Sequence, residues 1–229
     1  QRTQVPDFAG IITMPYGNVG KMRSYGADGN ISYSQDIGKD FSFTIRGNFT
    51  YSKNDVQNWE QADPKYPYQQ ISGMPYGVQR GYIALGLFRD DQDVESSPSQ
   101  FGTVRPGDIK YKDINGDNVI NENDMIPMGY NYNCPEIYYG FNIGLEWKGL
   151  GFNAYFQGVG NYTAQLSSSL YMPLINNTSI SKYVYDNHWT PENPSVTRPS
   201  SFYNTGHNYT YGDFFYQKAW FIRLQTISL

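Results

Sequence analysis

Apolar and polar residues alternate along much of this chain, most cleanly from Phe41 to Ser52. Phe41, Phe43, Ile45, Phe49 and Tyr51 share one parity; Ser42, Thr44, Arg46, Asn48, Thr50 and Ser52 share the other. A period of two marks a strand with two unlike faces. Ile137, Tyr139, Phe141, Ile143, Leu145 and Trp147 repeat the pattern without a break. An average soluble strand has about 5–6 residues, whereas a strand that crosses a bilayer needs about 9–11. The 137–147 run has the second length. From Asn30, Ile31, Tyr33, Gln35 and Ile37 alternate with Ser32, Ser34 and Asp36. Beyond Lys148 the apolar parity moves to Leu150, Phe152, Ala154 and Phe156. Between Phe214 and Leu229, Trp220, Ile222 and Leu224 share a parity that Ile227 and Leu229 leave, which predicts a bulge near Gln225.

The stretches between these runs differ in length. Ile37-Gly-Lys-Asp40 and Lys148-Gly149 read as tight turns. Asn54–Pro75 is polar and holds Pro64, Pro67 and Pro75; Asp90–Gln100 is polar and acidic; Asn161–Tyr211 is rich in Ser, Asn, Pro and Tyr. Gly77–Phe88 is apolar on both parities and predicts a strand buried on both sides. Five crossings follow, at 30–37, 41–52, 137–147, 150–158 and 214–229. Both tight turns then lie on one side, and long loops at about 53–136 and 159–213 on the other. Short turns on one side and long loops on the other is the layout of an outer-membrane barrel. The predicted fold is therefore all-β, an antiparallel meander forming part of a large transmembrane β-barrel with long extracellular loops. Five crossings are too few to close one, since the smallest barrels have about eight strands. A larger parent protein is expected.

Composition agrees with a strand protein that has one wet and one greasy face: 39% hydrophobic, 17% charged, 17% aromatic, with 22 Tyr and 23 Gly. A net charge of −4 and the lack of a Lys/Arg cluster argue against nucleic acid as a partner. No apolar run is long enough for a membrane helix, which leaves strand-borne spans open. Cys134 is the single cysteine, so no internal disulfide forms, and it reads as an inert thiol.

One stretch carries metal-type chemistry. Asp113, Asn115, Asp117, Asn121 and Asp124 fall at positions 1, 3, 5, 9 and 12 of a twelve-residue calcium loop, with the Val119 carbonyl at position 7. Ca²⁺ needs about 6–8 oxygens around one centre, which such spacing supplies. Asn118 replaces the usual Gly at position 6, and Asp124 replaces the usual Glu at position 12. A structural Ca²⁺ is the cofactor this spacing suggests. The other reading is a polar turn cluster held by Asx hydrogen bonds.

No hydrolase, zinc-protease or P-loop motif occurs. His188 and His207 stand outside any ligand-like repeat, and no enzyme is expected. Trp59, Tyr66, Trp189 and Tyr209 lie in the long segments and are candidate substrate contacts through their ring faces. Packing of the long loops on one another is the plainer role for each. Tyr139, Trp147, Tyr155 and Trp220 sit near strand ends, where interfacial girdles form.

Several motifs run in one order along the chain: Asn18-Val-Gly20 with the strand pair to Tyr51, Gly86-Leu-Phe88, Pro106-Gly-Asp-Ile-Lys-Tyr-Lys-Asp-Ile-Asn-Gly-Asp117, Tyr139-Gly-Phe141, Phe156-Gln-Gly158, Trp189-Thr-Pro-Glu-Asn193 and Phe221-Ile-Arg-Leu224. Together they resemble the C-terminal barrel portion of SusC/RagA-type TonB-dependent outer-membrane transporters. The resemblance implies a barrel of about 22 strands with an N-terminal plug. It implies a place in the bacterial outer membrane among lipid, and import of oligosaccharides or peptides with a SusD-like surface lipoprotein, TonB supplying energy. On this view residues 1–229 are a partial C-terminal barrel region, with the plug and the final strands absent. The competing expectation is a secreted, calcium-stabilised β-domain that binds glycans or protein partners. In it the Phe41–Tyr51 and Ile137–Trp147 faces pack on each other as a sandwich.

Overall fold

The computed structural model describes residues 20–131, 133–166, 171–173, 179–200 and 205–229. In chain order the strands are β1 (Lys21–Ile37), β2 (Phe41–Asn58), β3 (Gln79–Gly81), β4 (Ala84–Leu87), β5 (Ile109–Tyr111), β6 (Ile126–Met128), β7 (Ile137–Trp147), β8 (Leu150–Gly160), β9 (Thr163–Gln165), β10 (Tyr216–Lys218) and β11 (Phe221–Ser228). Three short helices, α1 (Asp91–Glu95), α2 (Lys182–Asn187) and α3 (Thr205–Asn208), lie in the long connections.

The long strands form one sheet in the order β1-β2-β7-β8-β11, with antiparallel pairing throughout. Period-two alternation becomes two continuous faces here. Ile31, Gly47, Phe141, Phe156 and Leu224 form one row across all the strands. Tyr33, Ile45, Ile143, Ala154 and Ile227 form the next row on the same face. Between them lies a polar row on the opposite face: Ser32, Arg46, Asn142, Tyr155 and Thr226. The Phe141 and Phe156 rings stack at 4.6 Å, the kind of cross-strand pair that holds a register.

The apolar face is bare. Ile31 is 70% exposed, Ile227 61% and Leu224 50%. The aromatic strands β2 and β7 lie side by side, with Phe43 opposite Leu145 and Ile45 opposite Ile143. They do not face each other, so the sandwich expectation fails.

Strand limits differ from the expected ones in instructive ways. β1 starts at Lys21 and β2 runs to Asn58, well past the alternating residues. Lys21–Gly29 shows no alternation because both faces of that outer part of the ribbon meet solvent. β7 pairs with β2 only as far as Tyr51, after which the Ser52 N–H reaches the Glu136 carbonyl at 2.8 Å. Higher up, the loop backbone at Gly73 and Met74 takes that side of β2, bonding both backbone groups of Val56. Gly77–Phe88 is not one strand. It holds β3 and β4, with Tyr82 and Phe88 buried between and beside them. The bulge expected near Gln225 is present as a register shift between Leu224 and Thr226. Tyr155 lies on the polar face opposite Asn142, because its parity is that of Asn153 and Gln157. It is not part of a girdle.

The core sits in the long connections, not in the sheet. Tyr82, Ile109, Tyr111, Ile120, Met172 and Phe215 form one buried cluster. Both long segments contribute to it, so they fold as one crown. His207 of α3 is buried between the Phe101 and Ile109 carbonyls, at 3.2 and 2.6 Å. The neighbouring Asn208 donates to Asp108 at 2.7 Å and accepts from the Ile109 N–H at 2.9 Å. The Gln100 amide pairs with both backbone groups of Tyr111. Side chains thus satisfy the backbone of β5 where no long strand does, as buried peptide groups require.

Candidate functional site

Three surfaces follow from this architecture. The first is the apolar face of the sheet, for which hydrocarbon is the stable surrounding. Near the end of this face at which β7 begins, the Tyr139 ring crosses β8 above Gly158, and its hydroxyl donates to the Phe221 carbonyl of β11 at 3.1 Å. Trp147 lies at the other end of β7 and is exposed. The second surface is the polar face. It carries a groove of about 390 Å³ lined by Ser42, Thr44, Arg46, Asn142, Glu146 and Asn153. Another, of about 420 Å³, is lined by Asn48, Thr50, Tyr138, Tyr155 and Gln157. Arg46 and Arg223 are the cations of this wall; Arg223 donates to Gln157 at 3.4 Å.

The third surface is the crown, which holds all the residues singled out for chemistry. In the 113–124 loop the side chains turn onto the backbone. Asp113 accepts from the Gly116 and Asn118 N–H groups, each at 2.7 Å. Asn115 accepts from Asp117 N–H, and Asp117 from Val119 N–H, both at 2.9 Å. Asn121 accepts from Asn123 N–H at 2.8 Å. Asp124 is wholly buried and accepts from Ile114 at 2.8 Å and Asn121 at 2.9 Å. Asn118 has φ +63°, a conformation Asn tolerates better than most residues. Ile120 pins the loop into the core, and its N–H reaches the Ser99 carbonyl at 2.7 Å. Among the described residues no three His, Cys, Asp or Glu side chains gather on one point. Loop closure here comes from Asx-type hydrogen bonds, which need no ion.

The four candidate aromatic contacts do not come together. Tyr66 stacks on Tyr68 at 5.3 Å, and the Tyr68 hydroxyl donates to the Asn123 carbonyl at 2.7 Å. Trp189 lies over Gly107. Its indole Nε1 is buried with no hydrogen-bond partner among the described residues, so its polar edge faces protein. Tyr209 packs on Phe215 at 5.8 Å, and burial pushes its hydroxyl up to about 12. Trp59 lines a cleft, beside Tyr76 at 6.3 Å. That cleft was not legible in the sequence. Its walls come from β2, the 71–80 segment and β6, and no spacing rule joins them. Tyr203, a further aromatic of the 159–213 segment, lies outside the described residues.

No family model matches the chain. TonB-dependent receptor P26 of Formosa agariphila is 31% identical over 133 residues, which are 56% of this chain and 13% of that protein. TonB-dependent receptor P3 of the same organism is 22% identical over 207 residues, 85% of this chain and 20% of that protein. The chain therefore spans a fifth or less of these relatives. Among solved structures, the RagAB peptide transporter superposes with a TM-score of 0.63 at 18% identity, covering 97% of this chain and 24% of its own. The RagAB peptide importer in the 'closed-closed' state gives 0.58 at 19% identity, with the same coverage. Both relatives are TonB-dependent receptors, which are proteins of the outer membrane and not enzymes. With a one-sided apolar sheet and a loop crown, the chain has the all-β fold of a section of the RagAB transporter, and its sequence is similar to that of TonB-dependent receptors.

Proposed function

We propose that the parent receptor imports oligosaccharides or peptides through the barrel that this sheet helps to build. A SusD-like surface lipoprotein is its partner, TonB its energy source, and the crown faces outward. The observation that carries this reading is the two-faced sheet: mostly apolar rows on one side, and Arg46, Asn142, Gln157 and Arg223 on the other. Such a wall separates hydrocarbon from an aqueous passage. Likeness to a peptide transporter over 97% of the chain supports the peptide arm. Deleting the receptor's gene tests the proposal, with uptake of labelled short peptides and oligosaccharides as the readout and lipoprotein co-purification beside it. Loss of uptake of one class, with a lipoprotein retained on the wild-type receptor, is expected. Unchanged uptake of both classes contradicts it.

Trp59 is the proposed substrate contact among the four aromatics, since its ring borders open space. Calcium remains a proposal for the 113–124 loop: Asp113, Asn115, Asp117, the Val119 carbonyl, Asn121 and Asp124 would contribute oxygens to a loop already closed by its own hydrogen bonds. Its role would be stiffening. Raised protease resistance of the crown with 1 mM Ca²⁺ over EGTA supports it; identical digestion refutes it.

A further inference from the structure

The cleft beside Trp59 has a chemistry of its own. It holds about 260 Å³, near the lower end for ligand sites. Trp59, Ile71, Met74, Tyr76 and Pro127 make its walls, and Arg80 is the one charged lining residue. The cleft is braced from behind. The Gln61 amide donates to the Gln69 carbonyl at 3.1 Å and accepts from the Ile71 N–H at 2.8 Å. Tyr76 is pinned on both sides: its N–H reaches Asn54 at 2.6 Å, and its carbonyl accepts from Asn131 at 3.1 Å. Arg80 Nη2 donates to the Tyr68 and Gln70 carbonyls at 3.0 and 3.2 Å. Those bonds use two of the five guanidinium N–H donors. The remaining three have no partner among the described residues. Burial pushes the Arg80 guanidinium below its usual range, so a bound anion there is stabilising.

We propose that this cleft binds the C-terminal residue of a short peptide, its apolar side chain between Trp59 and Pro127 and its free carboxylate on Arg80. A sugar is a poorer fit, because hydrated rings need several polar partners and the cleft offers one cation. The volume suits one side chain, not a long alkyl chain. Its braced walls mean little ordering is required on binding. The inference deepens the uptake reading and rests on it only for placing the cleft outside the cell.

The test uses the parent receptor in lipid nanodiscs, titrated calorimetrically with N-acetyl-Gly-Gly-Leu and with its C-terminal amide. The acid should bind roughly 10–100-fold more tightly, the range for a hydrogen bond to a charged group. Arg80→Gln should abolish that preference and Arg80→Lys retain part of it. Because Arg80 also braces two carbonyls, Met74→Trp provides a second variant that leaves the cation alone and fills the cleft; it should bind neither ligand. Equal binding of acid and amide, binding of decanoate without the tripeptide, or wild-type binding by Met74→Trp overturns the proposal. Binding is read without transport, so failure of the uptake reading and failure of this one are separate results.

Discussion

Gly107 and Asp124 show how single residues hold the crown. Gly107 has φ +88° and lies directly beneath the Trp189 ring, while its carbonyl accepts from Ser200 at 2.9 Å. Gly107→Ala adds left-handed strain and a methyl group where the indole sits. The expected loss is about 2–3 kcal/mol of local stability, seen as faster proteolysis of the crown with the sheet intact. Asp124→Ala leaves the half-buried Ile114 and Asn121 N–H groups without their buried acceptor and is expected to cost about 2–4 kcal/mol. Its digestion should be faster with and without Ca²⁺, since the closing bonds are to backbone. The sequence displayed the oxygen-rich spacing of this loop but not the direction of its carboxylates. Metal loops and Asx-locked loops draw on the same residues. Trp189 was legible as an aromatic in a long segment. Its seat on Gly107 was not, because nothing local couples the two positions.

Among the elements, β7 and β8 were the most legible, since a strand with lipid on one face and water on the other must alternate at every step. The residues of β7 match the alternating run from Ile137 to Trp147 end to end. The parity change in β11 was legible as well, and its bulge keeps Ile227 on the same face as Leu224. The outer part of β1 was hidden. Where hydrocarbon no longer selects one face, Met22, Tyr25 and Ala27 carry no rhythm. β3 and β4 were hidden for the opposite reason, since burial on every side erases parity. Two neighbours on β7 test the assignment of faces. Ile143→Arg should destabilise the membrane-embedded barrel by about 2–4 kcal/mol, measured by urea unfolding in lipid. Asn142→Arg, on the polar face, should change stability by less than about 1 kcal/mol. Equal effects would contradict the assignment.

The molecule as a whole divides its apolar residues between two environments. Tyr82, Ile109, Tyr111, Ile120 and Phe215 are buried in the crown, while Ile31, Ile45, Leu224 and Ile227 stay bare on the sheet. Composition alone could not separate these sets; periodicity could, because only the second set alternates. The central claim is that the bare set meets hydrocarbon. Its most direct measurement is a nitroxide scan of the parent receptor in lipid, in a Cys134→Ser background, with labels at residues 141 through 146. Collision with oxygen in the lipid phase should be high at 141, 143 and 145, and collision with an aqueous nickel chelate high at 142, 144 and 146. A scan without that alternation, or with the two sets exchanged, would contradict the account.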